Sequence, residues 1–149
     1  MVLRPAPDCP IIAEGQRARA PSALATPQKQ VRSKLHYAPK FELVKSGNPT
    51  VETDLLALAD RQLSAAEVKA TNTFGNNRQD AARKRALAAR VLVADEICLA
   101  TTKDDWEPAS IAAMKSAISA ETWPSGSIPR LRIIGKLGTL QVTDIIEPV

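Results

Sequence analysis

The sequence contains few of the side chains on which most catalytic and metal sites depend. It has one histidine, His36, and two cysteines, Cys9 and Cys98, in 149 residues. A single histidine argues against Ser–His–Asp and Cys–His catalysis, and two cysteines form neither a disulfide framework nor a zinc site. We therefore expect no enzymatic activity, no metal site and no cofactor. Free thiols are expected at both cysteines, although the sequence also allows a single bridge that joins the arm to the domain or to a neighbouring subunit.

Aromatic residues are also scarce, at 3% of the chain. The core must therefore consist of Leu, Ile, Val and Ala, with few large rings to fix its packing. We interpret this composition as support for a subunit that partner molecules stabilise.

Long apolar runs are absent, because charges interrupt every run well before the roughly 20 residues that a bilayer requires. The N-terminus lacks the apolar central region of a secretory signal. We expect no membrane partner and no secretion by a signal peptide. The sequence does not identify the cellular location of the protein, and we expect it in a virion or in an intracellular complex.

The first 40 residues differ in composition from the rest. They hold seven of the 20 Lys and Arg residues, two acidic residues and six of the 11 prolines, whereas the whole chain has a net charge of +4. A basic, proline-rich segment with few apolar residues cannot bury enough surface to fold alone. We therefore divide the chain into an extended basic arm, residues 1–40, and one small domain, residues 41–149.

Residues 41–149 predict an α+β domain that is mostly helical, with three or four helices and a C-terminal β-hairpin. Apolar residues at helical spacing predict a first helix over about 50–63. Ser64 and Glu67 have the spacing of a capping box and predict a short helix over 64–70. Asn and Gly residues then predict a loop over 71–77.

Two longer helices are expected next. Residues 78–100 predict one continuous helix, whose apolar second half would lie at the centre of the core. Asp104 or Asp105 is expected to cap another helix, with Pro108 in its first turn.

Strands are expected at the two ends of the domain. Residues 35–44 alternate briefly and predict an edge strand, because Pro39 excludes a central one. Residues 130–146 predict the β-hairpin, in which Leu131 and Ile133 alternate with polar residues in one strand. Leu140 and Val142 alternate in the same way in the other.

Acidic and glycine-rich motifs have structural interpretations. Asp104, Asp105 and Glu107 lie where acids favour the start of a helix. Asp95 and Glu96 would point about 100° apart on a helix and form no carboxylate pair. The segment 135–138 lacks the pattern of a phosphate-binding loop and is interpreted as the hairpin turn.

The arm predicts a structural or assembly subunit of a large multi-subunit complex, and a virus or phage particle is the class of complex that fits this architecture. An apolar tip and a basic extended stretch suit a chain that reaches into a neighbouring subunit, including copies of itself. The arm residues expected to bind partners are Ile11, Ile12, Arg17, Arg19, Lys29, Arg32 and Lys34.

The alternative is a nucleic-acid-binding protein. The arm could contact phosphates, and the basic start of the predicted helix at 78 could do the same, through Arg78, Arg83, Lys84 and Arg85. Residues 64–92 match a helix-turn-helix only weakly, because the turn is longer than the usual three or four residues. The shortage of aromatic residues argues against recognition of single strands by base stacking.

Overall fold

The computed structural model describes residues 2–5, 36–45, 48–124 and 126–149, and the side chains of 51–124 and 126–149. Seven strands form one sheet, and two helices connect three of those strands. In chain order the elements are β1 (Val2–Pro5), β2 (His36–Lys45), β3 (Asn48–Ala59), β4 (Gln62–Lys69), α1 (Arg78–Leu92), β5 (Glu96–Thr101), α2 (Pro108–Ala120), β6 (Arg130–Gly135) and β7 (Thr143–Glu147).

The sheet is mixed, and its strands lie side by side in chain order. Strands β1 to β4 are antiparallel neighbours, β4, β5 and β6 run parallel, and β7 returns antiparallel to β6. The parallel strands need crossover connections, which α1 and α2 supply. The prediction of a mostly helical domain with three or four helices is therefore wrong: the described chain has two helices and is built on the sheet.

The segment predicted as two helices over 50–70 forms the β3–β4 hairpin instead. Asp60 and Arg61 both have positive φ, at 50° and 65°, and form a two-residue turn that brings Ala59 opposite Gln62. Such turns usually carry Asn or Gly, so the sequence gives no signal of this one. The predicted capping box is also wrong, because residues three apart in a strand point to opposite faces.

The predicted helix over 78–100 is correct only in its first part. Helix α1 ends at Leu92, and Val93 takes a left-handed conformation with φ of 53°. The rest of the apolar run becomes β5, in which all six residues are buried. A short apolar run between two parallel strands looks the same in sequence as a buried helix segment, so periodicity alone gave the wrong element.

The core lies between the two helices and one face of the sheet. Small alanines on α1 let that helix approach the strands closely, and fully buried residues such as Leu99, Met114 and Leu131 fill the layer. Helix α2 begins at Pro108, as predicted. Its N-cap is Glu107 rather than Asp104 or Asp105, and no side chain caps it.

The terminal strands differ in part from expectation. Strand β2 lies between β1 and β3 rather than at an edge, but β1 pairs only with residues 41–44, so Pro39 lies beyond that pairing. Strands β6 and β7 pair as the predicted hairpin, with Leu131 and Ile133 buried. The second strand starts at Thr143, however, so Leu140 and Val142 belong to the exposed connection.

Candidate functional site

Asp54 of β3 is hydrogen-bonded to the segment of β4 that carries Glu67 and Lys69. The backbone N–H of Val68 donates a hydrogen bond to Asp54 Oδ2 at 2.8 Å. The β3–β4 pairing ends with Leu55 opposite Ala66, and Thr53, which precedes Asp54, is buried and lines one cavity with Glu67 and Arg85. The Asp54 carboxylate therefore lies against the segment that carries Glu67 and, two residues later, Lys69.

Glu67 and Lys69 lie on the same face of β4, since side chains alternate along a strand. The Glu67 side chain is only 4% exposed, and its Oε1 lies 2.8 Å from Lys69 Nζ. The same oxygen accepts a hydrogen bond from Arg85, which projects from α1. The side chains of Lys69 and Arg85 therefore both contact the same oxygen of Glu67, Oε1.

Each of the two carboxylates keeps one oxygen without a partner in the described structure. Asp54 binds Val68 through Oδ2, and Glu67 binds its cations through Oε1. Asp54 Oδ1 and Glu67 Oε2 therefore remain as acceptors on neighbouring strands. Across the described residues no cluster of three or more His, Cys, Asp or Glu side chains occurs. A cation held here would complete its coordination shell with water or substrate oxygens, which is the behaviour of Mg²⁺.

Arg85 is fixed from several sides. Its Nη1 donates to the Ala81 carbonyl at 3.1 Å, and its guanidinium lies 5.4 Å from the centre of the Phe74 ring. The Nε–H of Arg85 is buried without a hydrogen-bond partner in the described chain. Arg85 and Glu67 also line a cavity of about 10 Å³, close to the least space that a water molecule requires. The arrangement places a fixed positive charge and an unused donor beside the Glu67 carboxylate.

A larger crevice opens beyond the carboxyl ends of the parallel strands, next to Lys69. The loop after β4 and the loop after β5 form its walls, and the Thr102 N–H donates to the Lys69 carbonyl at 3.3 Å. The crevice has a volume of about 800 Å³. Its polar lining comprises Asn72, Thr73, Thr102, Lys103, Asp104, Asp105 and Glu107. Ligands of open α/β sheets commonly bind at this edge.

Glu107 holds the two walls of this crevice together. Its Oε2 accepts hydrogen bonds from Thr73 Oγ1 at 2.6 Å and from Ser110 Oγ at 3.2 Å, while its N–H donates to the Asn72 carbonyl at 2.7 Å. The hydrogen bond from Thr73, assisted by Ser110 and Arg78, lowers the pKa of the Glu107 carboxyl below its usual value. We assign Glu107 to loop positioning, because its oxygens are already engaged.

The basic residues expected to contact nucleic acid are mostly paired within the chain. Arg78 lies 3.8 Å from Glu107, Lys84 lies 2.8 Å from Asp80, and Arg85 binds Glu67. Arg83 is exposed, and no ion pair is found for it within the described chain. The arm residues expected to bind partners lie outside the described residues; they are Ile11, Ile12, Arg17, Arg19, Lys29, Arg32 and Lys34.

The other residues singled out from the sequence have structural surroundings. Asp95 Oδ2 accepts from the Leu63 N–H at 2.8 Å, and Asp105 Oδ1 accepts from the N–H of the next residue at 2.8 Å. Cys98 is a free, buried thiol, and burial, with the nearby Glu96 carboxylate, raises its pKa to about 12. Cys9 lies outside the described residues.

Sequence reasoning missed Asp54, Glu67 and Lys69 because it assigned helix to this region. The acid–x–Lys spacing at Glu67 and Lys69 would have been the signal, since it sets both side chains on one face of a strand. Recognising it requires knowing that the segment is a strand.

Neither helix of the described chain has the length and apolar character needed to cross a membrane. Comparison of the chain with protein-family models, with curated proteins and with solved structures gives no match. The functional argument therefore depends on the site alone.

Proposed function

We propose that this protein is a divalent-cation-dependent phosphodiesterase that cleaves nucleic acid. Asp54 and Glu67 would bind the cation, and Lys69 would contact the phosphate. The observation that supports the proposal is the 2.8 Å hydrogen bond between the Val68 N–H and Asp54 Oδ2, which brings the first carboxylate to the segment carrying the other two groups.

The chemistry of these three side chains fits phosphodiester hydrolysis. Mg²⁺ prefers oxygen ligands and is commonly held by one or two carboxylates together with substrate phosphate. Such an ion polarises a phosphoryl oxygen and lowers the pKa of a bound water. The Lys69 ammonium, 31% exposed and held by Glu67, can stabilise the negative charge that develops on the phosphoryl oxygens. Water adds to phosphorus and one P–O ester bond breaks, which leaves one phosphomonoester end and one hydroxyl end.

Nucleic acid is the substrate class that the charge and shape of the chain favour. The net charge is +4 and the isoelectric point about 9.3, so the protein attracts polyanions. The crevice beside Lys69 carries Lys103 and amide and hydroxyl groups that can contact a phosphate backbone. The expected phosphate contact of the arm thus becomes part of this proposal, whereas Lys84, which is paired with Asp80, has no role in it. The sequence alone favours a non-enzymatic protein because it has one histidine and no recognisable metal, carboxylate-pair or phosphate-loop motif. The site proposed here requires no histidine, and its residues are not contiguous in the sequence.

The test compares two acid–lysine pairs of the same chain. We expect cleavage of duplex DNA, single-stranded DNA or RNA in Mg²⁺ or Mn²⁺ and none in EDTA. Asp54→Asn and Lys69→Met should each lower the rate by about 10²-fold or more. Asp80→Asn and Lys84→Met remove the same groups from an exposed ion pair on α1 and should leave the rate unchanged.

Absence of cleavage on all three substrates would reject the proposal. So would cleavage in EDTA, or a rate for Asp54→Asn equal to that of the Asp80→Asn control. Circular dichroism of each variant shows whether a lost rate reflects lost folding.

The assembly role predicted from the sequence is a second candidate, and one observation favours it. Strand β7, at one end of the sheet, exposes Ile145 and Ile146 by about half of their surface. Exposed apolar edge strands are common sites of association with other chains. The contribution of the arm to such assembly stays a prediction, to be tested by deleting residues 1–34 and measuring the mass of the remaining protein in solution.

A further inference from the structure

The outer edge of β7 has the properties of a pairing surface. Within the described chain β7 hydrogen-bonds to β6 on one side and to no strand on the other. Ile145 is 47% exposed and Ile146 is 51% exposed, and the two side chains point to opposite faces of the sheet. Val142 and Val149, which flank the strand, are exposed as well.

The charges that would normally protect such an edge are neutralised inside the chain. Edge strands commonly avoid association by displaying charged residues. The two acids of β7 are already paired, however: Asp144 Oδ2 lies 2.6 Å from Arg132 Nη2, and Glu147 Oε2 lies 2.7 Å from Lys115 Nζ. The strand therefore presents apolar side chains and no uncompensated charge to another molecule.

We propose that β7 pairs antiparallel with β7 of a second copy of this chain, with Ile145 opposite Ile145 of that copy. This inference rests on the assembly role given above as the second candidate function, and it names the partner. The two-fold axis would be perpendicular to the sheet. Both copies would then contribute to one continuous sheet, with all helices on the same face.

The register follows from side-chain alternation and from charge. Residues directly opposite in a sheet share a face, so a symmetric pairing must be centred on a single residue. Centring on Asp144 would set two carboxylates opposite each other, which is unfavourable. Centring on Ile146 would bring Pro148, which has no N–H, into the ladder. Centring on Ile145 avoids both and sets Thr143 opposite Glu147 of the second copy.

The test uses the self-opposition of Ile145. Sedimentation equilibrium should show a concentration-dependent dimer of the full chain. Ile145→Glu and Ile145→Lys should each raise the dimer dissociation constant about tenfold or more, because like charges then face each other. Mixing the two variants should restore the dimer, since Glu and Lys would lie opposite. The control is Val91→Glu on α1, an equally simple change at a residue that is 39% exposed, and it should not alter the dimer.

Three outcomes would overturn the proposal, and each rejects a different part of it. A wild-type chain that stays monomeric at about 1 mM rejects a second copy as the partner. Assembly with a different protein would still be tested by the deletion of residues 1–34. A dimer that both Ile145 variants retain rejects the β7 surface but not self-association. Failure of the mixture to recover rejects the register. Hydrogen exchange of the amides of 143–147 in the unmodified chain should slow as the protein concentration rises. This measurement tests whether β7 lies in the dimer interface without the use of a variant.

Discussion

Substitutions of Glu67 and Glu96, which have similar surroundings, can distinguish an effect on catalysis from an effect on stability. The two glutamates lie on the adjacent parallel strands β4 and β5, and they are 4% and 3% exposed. Each has two cationic partners. Glu67 binds Lys69 and Arg85, while Glu96 lies 3.3 Å from Arg130 and 3.5 Å from Arg132 on the opposite face of the sheet. Only Glu67 belongs to the proposed site.

The structure gives the expected size of both effects. Charge-assisted hydrogen bonds contribute about 1.5–3 kcal/mol each, but the cationic partners are partly exposed, so solvent screening reduces this value. We therefore expect Glu67→Gln and Glu96→Gln each to lower the free energy of unfolding by about 1–3 kcal/mol. For a chain of this size that corresponds to a fall in Tm of about 2–4 °C per kcal/mol.

Nuclease activity should distinguish the two variants. Glu67→Gln should lose about 100-fold or more in cleavage rate at saturating Mg²⁺, because a neutral amide is a poor ligand for the ion. Glu96→Gln should keep the rate of the unmodified protein at a temperature where both variants are folded. Urea denaturation and cleavage of a labelled duplex measure the two quantities on the same samples. Equal loss of activity in both variants would refute the assignment, as would full activity of Glu67→Gln.

Three further predictions concern the frame around the site. Gly135→Ala should lower Tm by several degrees, because the added Cβ would lie 2.2 Å from the Asp104 carbonyl oxygen, a backbone atom that cannot move away cheaply. In a Cys9→Ser background, Cys98 should resist alkylation at pH 8 until the protein unfolds, since its pKa of about 12 leaves almost no thiolate. Glu107→Gln should destabilise the protein above pH 4.5, the ordinary pKa of the group, and the difference should vanish as the pH falls through the lower pKa of the folded state; a difference that persists in acid would contradict this.

The parts of the fold that the sequence predicts correctly carry strong local signals. Pro108 marks the first turn of α2, and Asn and Gly mark the loop over 71–77. Alternation in β6 identifies Leu131 and Ile133 as core residues. Each of these signals lies within a few residues of the feature it predicts, so no knowledge of distant contacts is needed.

The parts that the sequence does not predict depend on contacts between distant segments. Strand β5 is recognisable only because β4 and β6 flank it, and the β3–β4 turn at Asp60 and Arg61 carries neither Asn nor Gly. The tertiary context therefore overrides a helical spacing of apolar residues that is real in the sequence. The error is local in extent, but it covers every residue of the proposed site.

The difference between helix and strand also decides what chemistry these residues can perform. On a helix, Glu67 and Lys69 would point about 200° apart, and Asp54 would lie about 20 Å further along the axis. On adjacent antiparallel strands, the same spacing sets Glu67 and Lys69 on one face, and the turn at Asp60 returns the chain so that Asp54 reaches the Val68 N–H. The parallel neighbour β5 then fixes the end of β4 beside the crevice, through the bond from Thr102 to the Lys69 carbonyl. The hydrogen bond to Asp54 and the shared face of Glu67 and Lys69 thus arise from the hairpin fold and not from any contiguous motif.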